Sequence, residues 1–72
     1  MDDDMRQLHN TLAAVGVKTE WYYESGRGHY VVHTRVNPEQ VLTMRFYEPI
    51  NVDACVQYVM QSLALYYERK YP

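Results

Sequence analysis

Two of the three histidines, His29 and His33, have the spacing of a metal pair on a helix. The residues around them alternate as in a β-strand, where a four-residue step separates two side chains by about 13 Å. One ion would need further ligands to hold both rings, and no cysteine or aspartate stands beside either histidine. His9 lies far away, in a predicted helix. The sequence therefore predicts no metal site and no cofactor.

Nucleophilic catalysis has no support in the sequence. Cys55 lies between Val52 and Val59 in an apolar helical pattern without a neighbouring histidine, which predicts a small buried hydrophobic residue. Ser25 lies in a hairpin turn and not at a strand-to-helix elbow. The glycine-rich segment 26–28 opens a strand and not a helix, so it is not a phosphate loop. We expect that the protein is not an enzyme.

Composition narrows the class of protein further. Seven basic and nine acidic residues give a net charge of -2, which argues against a strongly electrostatic nucleic-acid binder. One cysteine cannot form an intramolecular disulfide, and no apolar run has the length of about 18 residues that a membrane span needs. The acidic start of the chain does not resemble a signal peptide. We expect a cytoplasmic protein without membrane contact.

The chain divides into five elements within a single domain, residues 1–72. Apolar periodicity predicts helices over about 4–15 and 52–69, and alternation predicts strands over 17–24, 29–36 and 41–47. Gly16, Pro38 and Pro49 separate these elements, and Asn51 can cap the last helix. The predicted fold is α+β, in the order α-β-β-β-α: a three-stranded antiparallel meander with two helices packed on one face.

The turn lengths predict which residues face each other across the strands. A four-residue turn at 25–28 places Glu24 opposite His29, so that Tyr22 faces Val31 on the side away from the helices. The same register places Glu20 opposite His33. For the third strand we expect Tyr47 beside Val31, and Arg45 beside His33. The aromatic residues expected in the core are Trp21, Tyr23, Tyr30 and Phe46, and the first helix is expected to bury Met5, Leu8, Leu12 and Val15.

The open face of this sheet carries the main functional hypothesis. Eight of the 72 residues are tyrosines, and tyrosine is enriched in protein interfaces. The predicted partner-binding residues are Tyr22, Val31 and Tyr47 at the centre, surrounded by Glu20, Arg27, His33, Arg35 and Arg45. The alternative is that these residues are an ordinary cross-strand ladder with half-exposed aromatic rings and an exposed turn arginine.

The last helix is apolar on more than one side. Besides its core stripe it has a second strip, Ala54, Tyr58 and Leu65, that lies well away from the core side at about 100° per residue. A short chain with such a strip is expected to form a homodimer or to bind a partner protein through it. The alternative is that the first helix covers this strip.

The order helix, three strands, helix resembles that of double-stranded-RNA-binding domains. The segment Gly26-Arg27-Gly28-His29 is similar to the glycine-x-x-histidine loop of that family, and Ala54 is similar to the alanine of its last-helix motif. The resemblance implies a shared topology. It does not imply RNA binding, because the family has lysines at the start of the last helix, where this chain has Asn51, Val52, Asp53 and Cys55.

These observations predict a small protein-binding module, a regulator or inhibitor that occludes a partner protein. A short chain of this kind would suit a phage or a mobile element. The alternative is a nucleic-acid-binding domain, in which basic side chains gather on the open sheet face while Tyr22 and Tyr47 stack on bases. Glu20 and Glu24 on the same face oppose that alternative.

Overall fold

A computed structural model describes residues 2–70, without the side chain of Asp2. It contains α1 (Asp2–Ala14), β1 (Thr19–Glu24), β2 (His29–Asn37), β3 (Gln40–Tyr47) and α2 (Val52–Lys70). The strands form one antiparallel sheet in the order β1-β2-β3, and both helices pack on one face of it. The predicted α+β class and element order are confirmed. No helix within residues 2–70 is long and apolar enough to cross a membrane.

Helix α1 ends at a glycine cap. Gly16 has a φ of +84°, the left-handed conformation that glycine adopts without steric cost. The N–H of Val17 donates to the carbonyl of Leu12 at 2.9 Å, and the N–H of Gly16 donates to that of Ala13 at 3.0 Å, which is a Schellman motif. Val15, predicted at the end of the buried stripe, is exposed because the helix has already ended there.

The β1–β2 hairpin has the predicted register. Backbone N–H groups of Arg27 and Gly28 both donate to the carbonyl of Glu24 at 3.0 Å, and Gly28 has a φ of +70°. This turn leaves four residues between the strands, so that Glu24 pairs with His29. The remaining pairs continue in step, and Tyr22 lies opposite Val31, Trp21 opposite Val32, and Glu20 opposite His33.

The β2–β3 register differs from the prediction by two residues. The loop contains only Pro38 and Glu39, and the side-chain oxygen of Asn37 tightens it by accepting the N–H of Glu39 at 2.8 Å. The ladder is irregular between Arg35 and Asn37, where one extra residue enters β2.

The predictions of Val31 beside Tyr47 and of His33 beside Arg45 are therefore wrong. The two-residue shift keeps every side chain on its predicted face, because side chains alternate with a period of two. The observed pairs are His29 with Tyr47, Val31 with Arg45, and His33 with Thr43.

The core lies between the helices and the inner face of the sheet. Its buried residues are Met5, Leu8, Leu12, Tyr30, Val32, Met44, Phe46, Cys55 and Val59. Trp21 is half-buried against this cluster, with its ring edge-on to Tyr30 at 6.0 Å. Tyr23 is exposed, contrary to prediction, because it lies at the end of an edge strand, where one side of its ring meets Tyr30 and the other meets solvent.

Helix α2 is fixed at both ends. Its predicted cap is confirmed, since Asn51 Oδ1 accepts the N–H of Ala54 at 3.0 Å. Near its C-terminus the hydroxyl of Tyr66 donates to Gln40 Oε1 at 2.8 Å, and Asn37 Nδ2 lies 3.1 Å from the same hydroxyl. These contacts hold α2 along β3. The position of α2 in turn determines on which side of the sheet the exposed residues of α2 lie.

Candidate protein-binding face

The outer face is the sheet face opposite the helices, and two tyrosines project from it. Tyr22 on β1 is 51% exposed and Tyr47 on β3 is 63% exposed. Among the described residues, neither phenolic hydroxyl has a hydrogen-bond partner. Their backbone belongs to paired strands, so the two rings are held on a rigid support with their polar ends free.

Val31 faces Tyr22 on one side and Arg45 on the other, and it does not contribute accessible surface. It is only 1% exposed, so the prediction that it forms part of an exposed row is wrong. Val31 is on the central strand, and the long side chains of Tyr22 and Arg45 stand directly opposite it on the two neighbouring strands. A short side chain flanked in this way is shielded from solvent, so Val31 lies beneath the longer side chains of the outer face.

His29 is a buried residue of the outer face and is only 3% exposed. Its ring packs against Tyr47 with centroids 5.1 Å apart, and its Nε2 lies 3.2 Å from Glu24 Oε2. That distance suits an ion pair with a protonated ring, but neither ring nitrogen has a partner with hydrogen-bonding geometry in the described part of the chain. The pairing with Glu24 is predicted from the sequence, but the contact with Tyr47 depends on the observed β2–β3 register, so the burial of His29 could not be predicted.

Polar side chains surround the tyrosines. His33 Nδ1 lies 3.0 Å from Thr43 Oγ1, and its ring lies 5.9 Å from the ring of Tyr22. Glu20 is exposed on β1 opposite His33, and Arg45 is exposed on β3. Within residues 2–70, Glu20 and Arg45 have no ion-pair or hydrogen-bond partner, so both charges are available to an external group.

The two other predicted arginines lie at opposite ends of the face. Arg27 Nε, in the β1–β2 turn, is 3.3 Å from Glu24 Oε1. Arg35 Nη1 donates to the carbonyl of Pro38 at 2.9 Å, next to the β2–β3 loop. The structure therefore does not gather the arginines into one basic patch.

The second strip of α2 is exposed, and α1 does not cover it. Tyr58 is 53% exposed and Leu65 is 52% exposed. Ala54 and Tyr58 line a depression of about 410 Å³ together with Tyr47, and Tyr58 stands edge-on to Phe46 at 5.7 Å. Leu65 lines a second depression of about 510 Å³ that includes Gln40 and Leu42 of β3. The strip thus runs beside β3.

The described part of the chain has no group of three metal-ligating side chains. Cys55 is buried, as predicted, and burial raises the pKa of its thiol, so that the unreactive protonated form is favoured.

The chain matches no protein-family model, and neither a curated protein nor a solved structure is significantly similar to it. The resemblance to double-stranded-RNA-binding domains is thus one of element order and of a short turn, without support from these comparisons.

Proposed function

We propose that this protein is a small cytoplasmic protein-binding module, a regulator or inhibitor that acts by occluding the surface of a partner protein. The observation that carries the proposal is the pair of half-exposed tyrosines, Tyr22 and Tyr47, whose hydroxyls are free among the described residues. Tyrosine offers a large contact area, a polar tip and a low entropy cost on binding, and aromatic residues of this type are frequent anchors of interfaces.

The charges around the tyrosines favour a protein over a nucleic acid. The exposed side chains of Glu20 and Arg45 have opposite signs, whereas a phosphate backbone selects a continuous basic surface. Arg27 is close to a glutamate that offsets its charge, and Arg35 lies at the opposite end of the face, so the two do not form a continuous basic surface. Charges of both signs around the centre of an interface affect the association rate and the specificity of a protein contact.

The proposal is tested by capture on the immobilised full chain from extracts of the native cell. Wild type is compared with Tyr22→Ala and Tyr47→Ala, and Tyr23→Ala is the matched control, because Tyr23 is an exposed tyrosine of the same strand on the opposite face. We expect a retained protein that resists nuclease and moderate salt, is lost with both outer-face variants and is kept by the control.

Two results would contradict the proposal. Retention that nuclease abolishes and that falls steeply with salt would support nucleic-acid binding instead. Retention that survives both outer-face substitutions would show that the partner docks elsewhere. Circular dichroism of each variant confirms that it is folded before it is compared.

A further inference from the structure

The outer edge of β3 is open. β3 pairs with β2 on one side, and on its other side no strand lies within residues 2–70. An open edge presents unpaired N–H and C=O groups, and proteins usually protect such edges with proline, lysine or inward-pointing charges. β3 is eight residues long, QVLTMRFY, with Arg45 as its one charged residue. The other edge strand, β1, is shorter and carries two glutamates.

The apolar strip of α2 flanks this same edge. Tyr58 and Ala54 stand beside its Tyr47 end, and Leu65 stands beside its Gln40 end. We propose that a second copy of this chain pairs with β3 in antiparallel orientation, forming a two-fold symmetric dimer with a continuous six-stranded sheet. A two-fold axis at the middle of β3 brings the Ala54–Tyr58–Leu65 strips of the two copies to face each other. One arrangement therefore covers both the open edge of β3 and the apolar strip of α2.

The sequence of β3 selects a register for this pairing. With Met44 at the axis, Leu42 faces Phe46 of the partner subunit on the inner side. On the outer side the exposed Val41 faces Tyr47 of the partner subunit, an aromatic and β-branched pair of the kind that stabilises sheets. If the axis lay at Arg45 instead, one residue towards the C-terminus, Arg45 would face Arg45 of the partner subunit. The repulsion between these like charges disfavours that register.

Charge complementarity supports the same register. Glu48 follows β3, is exposed, and has no ion-pair partner within the described residues. The register places it opposite Gln40 of the partner subunit. On each copy Gln40 lies in the depression that Arg69 and Lys70 also line. In the dimer, Glu48 of each copy therefore lies near the basic C-terminal end of α2 in the other copy. The two-fold axis makes two such contacts, one at each end of the paired β3 strands.

This inference goes beyond the proposed function and can fail separately from it. Tyr47 belongs to both the outer face and the proposed dimer contact. Tyr22 separates the two, because it lies on β1, about 10 Å from the β3 edge at the usual strand spacing, and takes no part in the dimer contact. The dimer would carry two copies of the outer face on one continuous sheet. Tyr22→Ala should therefore leave the dimer intact while it abolishes partner capture.

Sedimentation equilibrium of the full chain tests the dimer. We expect twice the monomer mass of 8.6 kDa at micromolar concentration, and a monomer for Leu65→Glu. Glu48→Lys or Lys70→Glu alone should weaken the dimer about tenfold, because each change affects two symmetric pairs, and the double variant Glu48→Lys/Lys70→Glu should regain most of that loss. Tyr67→Glu is the control, since Tyr67 is an exposed residue on the other flank of α2, beside Val17 and Lys18.

Disulfide trapping tests the register. In a Cys55→Ser background, Thr43→Cys and Arg45→Cys chains are mixed under mild oxidation. The proposed register predicts a crosslink between the two different chains in preference to either chain with itself. A preferred self-crosslink of Thr43→Cys would overturn the register. A wild-type chain that is monomeric at micromolar concentration, or a dimer that survives Leu65→Glu, would overturn the interface.

Discussion

Trp21 and Tyr22 are adjacent in β1 and lie on opposite faces of the sheet, so truncation of each should have very different consequences. Trp21 packs on the core cluster and edge-on to Tyr30, whereas Tyr22 keeps half of its surface in water. We expect Trp21→Ala to destabilise the fold strongly and Tyr22→Ala to leave it intact.

The magnitude for Trp21 follows from the area that it buries. A tryptophan buries about 150–250 Å², which at about 25 cal/mol per Å² corresponds to about 4–6 kcal/mol. That figure is an upper bound, because an unfolded chain already shields some surface and because Trp21 is half-buried. We expect Trp21→Ala to cost about 3 kcal/mol, the lower end of the range for buried aromatic residues. A domain of this length has about 4–11 kcal/mol in total.

Tyr22→Ala should cost about 1 kcal/mol or less, because half of the side chain stays in water and its neighbours on the face are Val31 and the ring of His33. Urea unfolding followed by circular dichroism measures both changes without relying on tryptophan fluorescence, which Trp21→Ala removes. If Tyr22→Ala proved as costly as Trp21→Ala, the assignment of the two sheet faces would be refuted.

Three further changes test local features. Asn51→Ala removes the side-chain acceptor of the Ala54 N–H and should lower the free energy of unfolding by about 1 kcal/mol, as measured in urea. Gly16→Ala should cost about 1–2 kcal/mol in the same assay through its positive φ alone, because an added Cβ would meet no neighbouring atom; an unchanged stability would contradict the cap. Cys55 should react with a thiol reagent only slowly in the native protein and rapidly in urea, because it is buried and its pKa is raised; fast native labelling would contradict its burial.

The fold could be predicted from sequence because the residues that end and begin its helices and strands give clear local signals. Gly16 ends a helix, a turn of fixed length joins β1 to β2, and Asn51 begins a helix, each for a local reason that the chain carries with it. Alternation then assigned each strand residue to a face. The face assignment of β3 survived the error in its register, because a shift of two residues preserves parity.

The details of the outer face could not be predicted, because they depend on contacts between strands. The extra residue between Arg35 and Asn37 shifts the β2–β3 ladder, and no residue type in this segment indicates such an irregularity. The burial of Val31 and His29 depends on which long side chains stand beside them on neighbouring strands. The prediction that the α2 strip is exposed is confirmed for Tyr58 and Leu65, but its position beside an open strand edge emerges only from the packing of α2 along β3.

The most direct measurement of the proposed function is the dissociation constant of the captured partner protein for three chains, determined by titration calorimetry. The account predicts that Tyr22→Ala raises the dissociation constant at least about 30-fold, the equivalent of a 2 kcal/mol anchor. Tyr23→Ala, one residue away on the other face, should stay within about twofold of wild type, since a side chain outside an interface leaves the affinity nearly unchanged. Equal losses for both variants, or none for Tyr22→Ala, would contradict the assignment of the outer face as the binding surface.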